Sequence, residues 1–212
     1  MANHLILGKS AGYSIGGVKM RISEDARRSV VFFGIEGPEG IEYGGTGFLI
    51  QWIEGDLRWP YLVTARHVAE GLSKHETFFI RANLLNGDAI SVEIEHASWV
   101  FPEDESVDLA VVPYGLNVEA MDHVHIPMPE FLANFDDPLA IACGDAINIV
   151  GLFRLHRGNK RAIPFVHCGW VSVLPDSNER VPIRNPATGK LFGSEAFLVE
   201  VNRPGIAGGS NS

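Results

Sequence analysis

Cysteine is scarce in this chain of 212 residues: there are two, Cys143 and Cys168, and they form no CxxC pair. That excludes a disulfide framework and favours two buried free thiols in a reducing compartment over a single disulfide between them. No run approaches the roughly 20 apolar residues that a membrane-spanning helix needs. The opening MANHLILGKSAGYSIGGVKMRIS has no cationic lead, no long apolar core and no small-residue cleavage site, so it does not read as a secretory signal. The expected location is cytoplasmic. Basic residues are also in deficit, with 17 Lys and Arg against 26 Asp and Glu and a net charge of -9. A phosphate backbone would be repelled, so neither nucleic acid nor a membrane is an expected partner. Sustained helical periodicity, internal repeats and low-complexity tracts are absent as well, which removes bundles and solenoids from consideration.

What remains is a series of short apolar runs broken by turn residues about every ten positions. VVFFGIE (30–36), GGTGFLIQW (44–52) and RWPYLVTA (58–65) read as strands, with turns at Gly37-Pro38-Glu39-Gly40 and Glu54-Gly55-Asp56. TFFIRANLL (77–85) and AISVEIEHASWV (89–100) are two more, joined through Asn86-Gly87, and DLAVV (108–112) is a sixth, stopped by Pro113. One helical turn fits residues 65–72. Residues 115–139 carry Pro127, Pro129 and Pro138 and read as a connection. Strands resume at 145–153, 162–175 and 194–201, with an exposed, turn-rich stretch between the last two. This spacing favours an all-β barrel or sandwich over any βαβ fold.

Two side chains carry potential chemistry. His67 follows an apolar strand, and Asp108 opens a buried one. A carboxylate at a strand mouth can accept the N–H of an imidazole, fix its tautomer and stabilise the cation formed when the ring takes a proton. Alone, each has an ordinary reading, as a structural histidine and a turn cap. A third feature is the run Pro204-Gly205-Ile206-Ala207-Gly208-Gly209-Ser210, whose glycines allow a tight bend with its N–H groups aimed at one point.

Taken in order, Gly45-Thr46-Gly47-Phe48-Leu49-Ile50, Leu62-Val63-Thr64-Ala65-Arg66-His67-Val68, Asp108-Leu109-Ala110-Val111-Val112 and Pro204 to Gly209 resemble the signatures of the trypsin-like serine peptidases, in the short bacterial HtrA-like style. The resemblance runs from about residue 28 to the end. It implies an all-β fold of two antiparallel β-barrels, the second incomplete: an N-terminal extension over 1–27, a first barrel over 28–120, a connection over 121–143 and a partial second barrel over 144–212. It also implies a serine-type endopeptidase scaffold acting on a peptide or protein substrate, with no cofactor. His67 would be general base and acid, Asp108 its orienter, position 207 the nucleophile, and the amides of Gly205 and Ala207 an oxyanion hole.

Two departures qualify that expectation. Ala207 stands where the family has serine, and a methyl group cannot attack a carbonyl, so the chain is expected to be inactive as a peptidase. The alternative is an inactive peptide-binding or regulatory module on the same fold. The sequence ends at Ser212, before the strands that complete the family's second barrel, which predicts self-association or a partner chain at the open edge. Six residues before position 207, Val201 would floor an apolar specificity pocket. His123 and His125 alternate with Val124 beside Asp122, but no adjacent third ligand suits a metal, so none is expected.

Overall fold

A computed structural model describes residues 22–117, 119–129, 141–153, 158–184 and 189–201, together with the backbone of 4–7. Its elements in chain order are β1 (His4–Leu7), α1 (Glu24–Arg28), β2 (Val30–Gly37), β3 (Gly40–Glu54), β4 (Leu57–Thr64), α2 (Arg66–Leu72), β5 (Phe78–Asn83), β6 (Ala89–Ile94), β7 (Ala110–Pro113), β8 (Ile126–Pro127), β9 (Ala146–Gly151), β10 (Phe165–Val173), β11 (Val181–Arg184), β12 (Leu191–Ser194) and β13 (Leu198–Val201). They form a seven-stranded sheet in the order β6-β5-β2-β3-β4-β7, with β8 also on β3, a four-stranded sheet β1-β9-β10-β13, and a two-stranded ribbon β11-β12.

The two-barrel expectation is wrong, because among the described residues none of these sheets closes. Closure requires the two edge strands of a sheet to pair with each other. In the larger sheet the edges are β6 and β7, and they do not pair. The segment read as one strand over 89–100 leaves the ladder after Ile94, and only Val100 returns, as a single bridge to Val111. His96 and Ser98 in between are exposed. In the smaller sheet the edges β1 and β13 are likewise unpaired with each other. The fold is therefore all-β with open sheets, and the trypsin-like architecture implied by the motifs does not hold.

The unbroken apolar run at the start of β2 has a direct cause. Successive strand residues face opposite sides, and both sides of β2 are covered. Val31 and Phe33 join Leu49, Leu62, Leu72, Phe78, Ile80 and Val112 in one core. Val30 and Phe32 face the other way and pack with Tyr43, Val150, Leu152 and Ala162, which joins the larger sheet to the smaller one. β9 repeats the device: Val150 serves that shared layer, while Ile147 and Ile149 pack with Val171 in a third cluster.

Polar contacts fix the two sheets in register. The backbone N–H of Leu152 donates to the Thr46 hydroxyl at 2.9 Å. Asn83 donates through Nδ2 to the Ala162 carbonyl at 3.0 Å and accepts from the Ala162 N–H at 2.8 Å, a two-point clasp between β5 and the segment before β10. Asp122 receives Arg28 Nε at 2.7 Å and an Arg161 terminal nitrogen at 2.9 Å. Arg161 is thus docked, and the Gly158 and Asn159 carbonyls accept from Arg81. Trp170 is 39% exposed because its position on β10 faces away from the third cluster. Both cysteines are free: Cys143 is exposed, whereas Cys168 is half-buried and donates to Asn148.

Candidate functional site

His67 is placed by the strand-to-helix junction β4–α2. Thr64 ends β4 with its hydroxyl donating to the Thr46 carbonyl at 2.8 Å, which ties the junction to β3. Ala65 then occupies the N-cap of α2 in an extended conformation and offers no side-chain oxygen to the first turn. Helix starts leave N–H groups without partners, and an alanine cap cannot supply one. Asp108 does so from a distant part of the chain: its Oδ1 accepts the backbone N–H of His67 at 3.0 Å. Its other oxygen, Oδ2, lies 2.6 Å from Nδ1 of the same residue's ring.

The Gly45-Thr46-Gly47 stretch sets how closely α2 approaches the sheet. A Cβ on Gly45 would sit 2.8 Å from Val68 Cγ1, and one on Gly47 would sit 2.5 Å from the Phe33 ring. These glycines lie inside β3, where the helix and Phe33 occupy the space a side chain would take. Their spacing reflects packing behind His67, one residue before Val68.

Asp108 is half-exposed and His67 less so, at 48% and 24% of the side chain. Partial burial pushes the Asp108 carboxyl up, but the hydrogen bonds from the His67 ring and backbone, together with the ring's charge when protonated, outweigh it and hold the group below the ordinary value of 3.8. With Nδ1 engaged, proton exchange with anything outside falls to Nε2. Among the described residues, no serine or threonine hydroxyl and no thiol makes a hydrogen bond to His67.

No protein-family model matches the chain, and no curated protein matches it in sequence. The serine peptidase reading is accordingly corrected. It required a barrel scaffold, which the described residues do not form, and a triad, of which they show a histidine and a carboxylate but no third member. Neither an active protease nor an inactive peptidase or peptide-binding copy on that fold is supported.

The remaining residues singled out in the sequence fall as follows. Gly205 and Ala207, with the whole glycine-rich bend, lie outside the described residues. Val201 ends β13, pairs with Gly169 and packs against Ile147, Ile149 and Val171. His123 and His125 meet edge to face with ring centroids 5.0 Å apart. Burial pushes both imidazoles down, His125 to about 4 with His123 adding to the effect. Among the described residues, no group of three or more His, Cys, Asp or Glu side chains converges as a metal site would need.

One contributor to the His67 site was not singled out from the sequence. Arg66, the first residue of α2, donates to the Pro102 carbonyl at 2.6 Å and stacks its guanidinium 5.0 Å above the Phe101 ring. The only advance signal was an arginine beside the histidine and a Phe-Pro pair upstream of the aspartate.

Proposed function

We propose that this protein carries a proton-transfer centre in which His67 is the general base and acid and Asp108 orients it. The observation behind the reading is the double engagement of one carboxylate by one residue, ring Nδ1 at 2.6 Å and backbone N–H at 3.0 Å. A carboxylate needed only to cap α2 is satisfied by the backbone contact. Its second oxygen on Nδ1 does what a cap does not require: it holds the proton on Nδ1 and leaves the Nε2 lone pair free.

A group so arranged removes a proton from water or a substrate hydroxyl as the oxygen bonds to an electrophilic carbon. It then returns the proton from Nε2 to the departing group. The quarter exposure of the His67 side chain leaves the ring within reach of a small molecule.

The test uses p-nitrophenyl acetate, whose hydrolysis responds to any accessible polarised imidazole. Wild type, His67→Ala and Asp108→Asn are compared at matched folding, checked by thermal melting. The expected result is a fall in H67A to the background set by the exposed His75, His96 and Cys143, and, above that background, a fall on the order of a hundredfold or more in D108N. A folded H67A that hydrolyses the ester at the wild-type rate refutes the reading.

A further inference from the structure

We infer that Arg66 is the positioning residue that holds Asp108 within reach of His67, an inference that rests on the proton-transfer reading above. Asp108 lies on an excursion between two fixed points. Val100 and Val111 exchange backbone hydrogen bonds of 2.7 and 2.9 Å and close its base. Within it, Ser106 N–H donates to Asp104 Oδ1 at 2.8 Å, Val107 N–H to the Asp104 carbonyl at 3.1 Å, and Leu109 N–H to the Val107 carbonyl at 2.9 Å. These turns make 104–109 a compact unit, so its placement depends on what grips the segment from outside.

The β4–β7 pairing seats Ala110 opposite Thr64, and two further sets of contacts, which differ in strength, grip the residues before it. On the side of the ribbon, the Ser194 hydroxyl donates to the Ser106 carbonyl at 3.4 Å, and Lys190 meets Glu105 at 3.6 Å with both side chains mostly exposed. A long hydrogen bond and a solvated ion pair contribute little. On the helix side, Arg66 makes a charge-assisted bond of 2.6 Å to Pro102 and a cation–π contact with Phe101. Among the described residues its buried Nε has no hydrogen-bond partner, so the guanidinium is held by its other contacts at some cost. The excursion also carries Glu103, Asp104, Glu105 and Asp108, and Arg180 and then Arg66 add to the hydrogen bonds from Ser106 in holding the Asp104 carboxyl below its ordinary value. Arg66 therefore strings Phe101 and Pro102 to the helix turn that bears His67, and the carboxylate that His67 needs sits at the other end of the same excursion.

Arg66→Met keeps the length and apolar stem but removes the charge and donors, and Arg66→Lys keeps the charge without the planar stack. Two readouts respond to orientation rather than to folding alone: the downfield proton resonance of His67 Nδ1–H, and the His67-dependent ester hydrolysis. In folded R66M the resonance is expected to move upfield and broaden, and the rate to fall on the order of tenfold to a hundredfold. R66K should recover part of both. Wild-type resonance and rate in R66M, with both lost in D108N, overturn the role of Arg66 and leave the dyad standing. Wild-type behaviour in D108N itself overturns the dyad. Should R66M fail to fold, R66K and Phe101→Leu carry the test, and the role is overturned if both keep the wild-type resonance and rate.

Discussion

Gly47→Ala tests whether the glycine pattern of β3 is a packing requirement. The new methyl carbon would lie 2.5 and 2.7 Å from Cε2 and Cζ of Phe33 and 3.1 Å from the Val63 carbonyl oxygen. Phe33 is 1% exposed and locked edge to face against Phe78 and Trp99, at centroid distances of 6.0 and 6.1 Å, so its ring has no easy retreat. Overpacking of this kind costs about 1–3 kcal/mol. For a chain of this size each kcal/mol lowers Tm by roughly 2–4 °C, so G47A should melt about 2–12 °C below wild type. Gly44→Ala is the internal control: nothing lies within 4 Å of its Cβ position and its φ is not positive. Removing a glycine there should leave Tm unchanged or raise it slightly. The mechanism is isolated by repeating G47A in a Phe33→Leu background, where the clashing ring atoms are gone and the penalty should largely disappear. Differential scanning calorimetry on the four variants and wild type reads all of these terms. A G47A protein that melts like G44A, or a G47A penalty that is unchanged in the Phe33→Leu background, refutes the packing argument.

Further outcomes follow from the same contacts. Asn83→Ala removes both halves of the clasp on Ala162 and leaves that backbone unpaired, so urea denaturation should show a loss of about 1–3 kcal/mol, against little change for the exposed Asn86→Ala. His123 and His125 have depressed folded values, so the unfolded chain binds their protons first. Stability should fall as pH drops below the ordinary histidine value of 6.5 towards about 4, and His125→Phe should flatten that limb in melts taken across the range. For Asp108 the folded value is depressed, so its contribution is present above 3.8 and is lost as pH falls through the folded value. The Tm difference between wild type and D108N should accordingly shrink as pH falls through that acid window; a difference that grows there contradicts the assignment.

Local structure was largely legible in the chain because it depends on neighbours in sequence. The hairpin at Asn86-Gly87 forms with Gly87 at φ 90°, and Glu54-Gly55-Asp56 turns with Gly55 at φ 59°. α1 could have been read too, since Ser23 caps it, Glu24 and Asp25 fill its first turn and Arg27 and Arg28 its last. What stayed illegible was long-range. Whether β6 meets β7 depends on where residues 95–100 leave the ladder, and the apolar alternation of AISVEIEHASWV gives no sign of that departure after Ile94. The β11–β12 ribbon hid in the same way, because VPIR and LFGS carry Pro182 and Gly193, which discourage a strand reading, yet they pair along their full length. Motif resemblance misled for a related reason. Gly45 and Gly47 matched a family signature by spacing, whereas Val68 and Phe33 account for both.

At the candidate site, the residue types at positions 67 and 108 were visible, but the means of joining them was not. A carboxylate 41 positions away replaces the missing cap of α2, and nothing in the local sequence of either segment signals that exchange. Arg66 is similar: its partners, Phe101 and Pro102, lie 35 and 36 positions further on, and its role follows only from the folded arrangement.

The central claim is that Asp108 holds a proton on Nδ1 of His67, and the most direct measurement is the proton spectrum of the ring. With selectively labelled histidine, the His67 Nδ1–H should appear far downfield, couple to labelled Nδ1, and vanish or move sharply upfield in a folded Asp108→Asn variant. A His67 ring in wild type that carries its proton on Nε2, or a resonance that D108N leaves in place, contradicts the account.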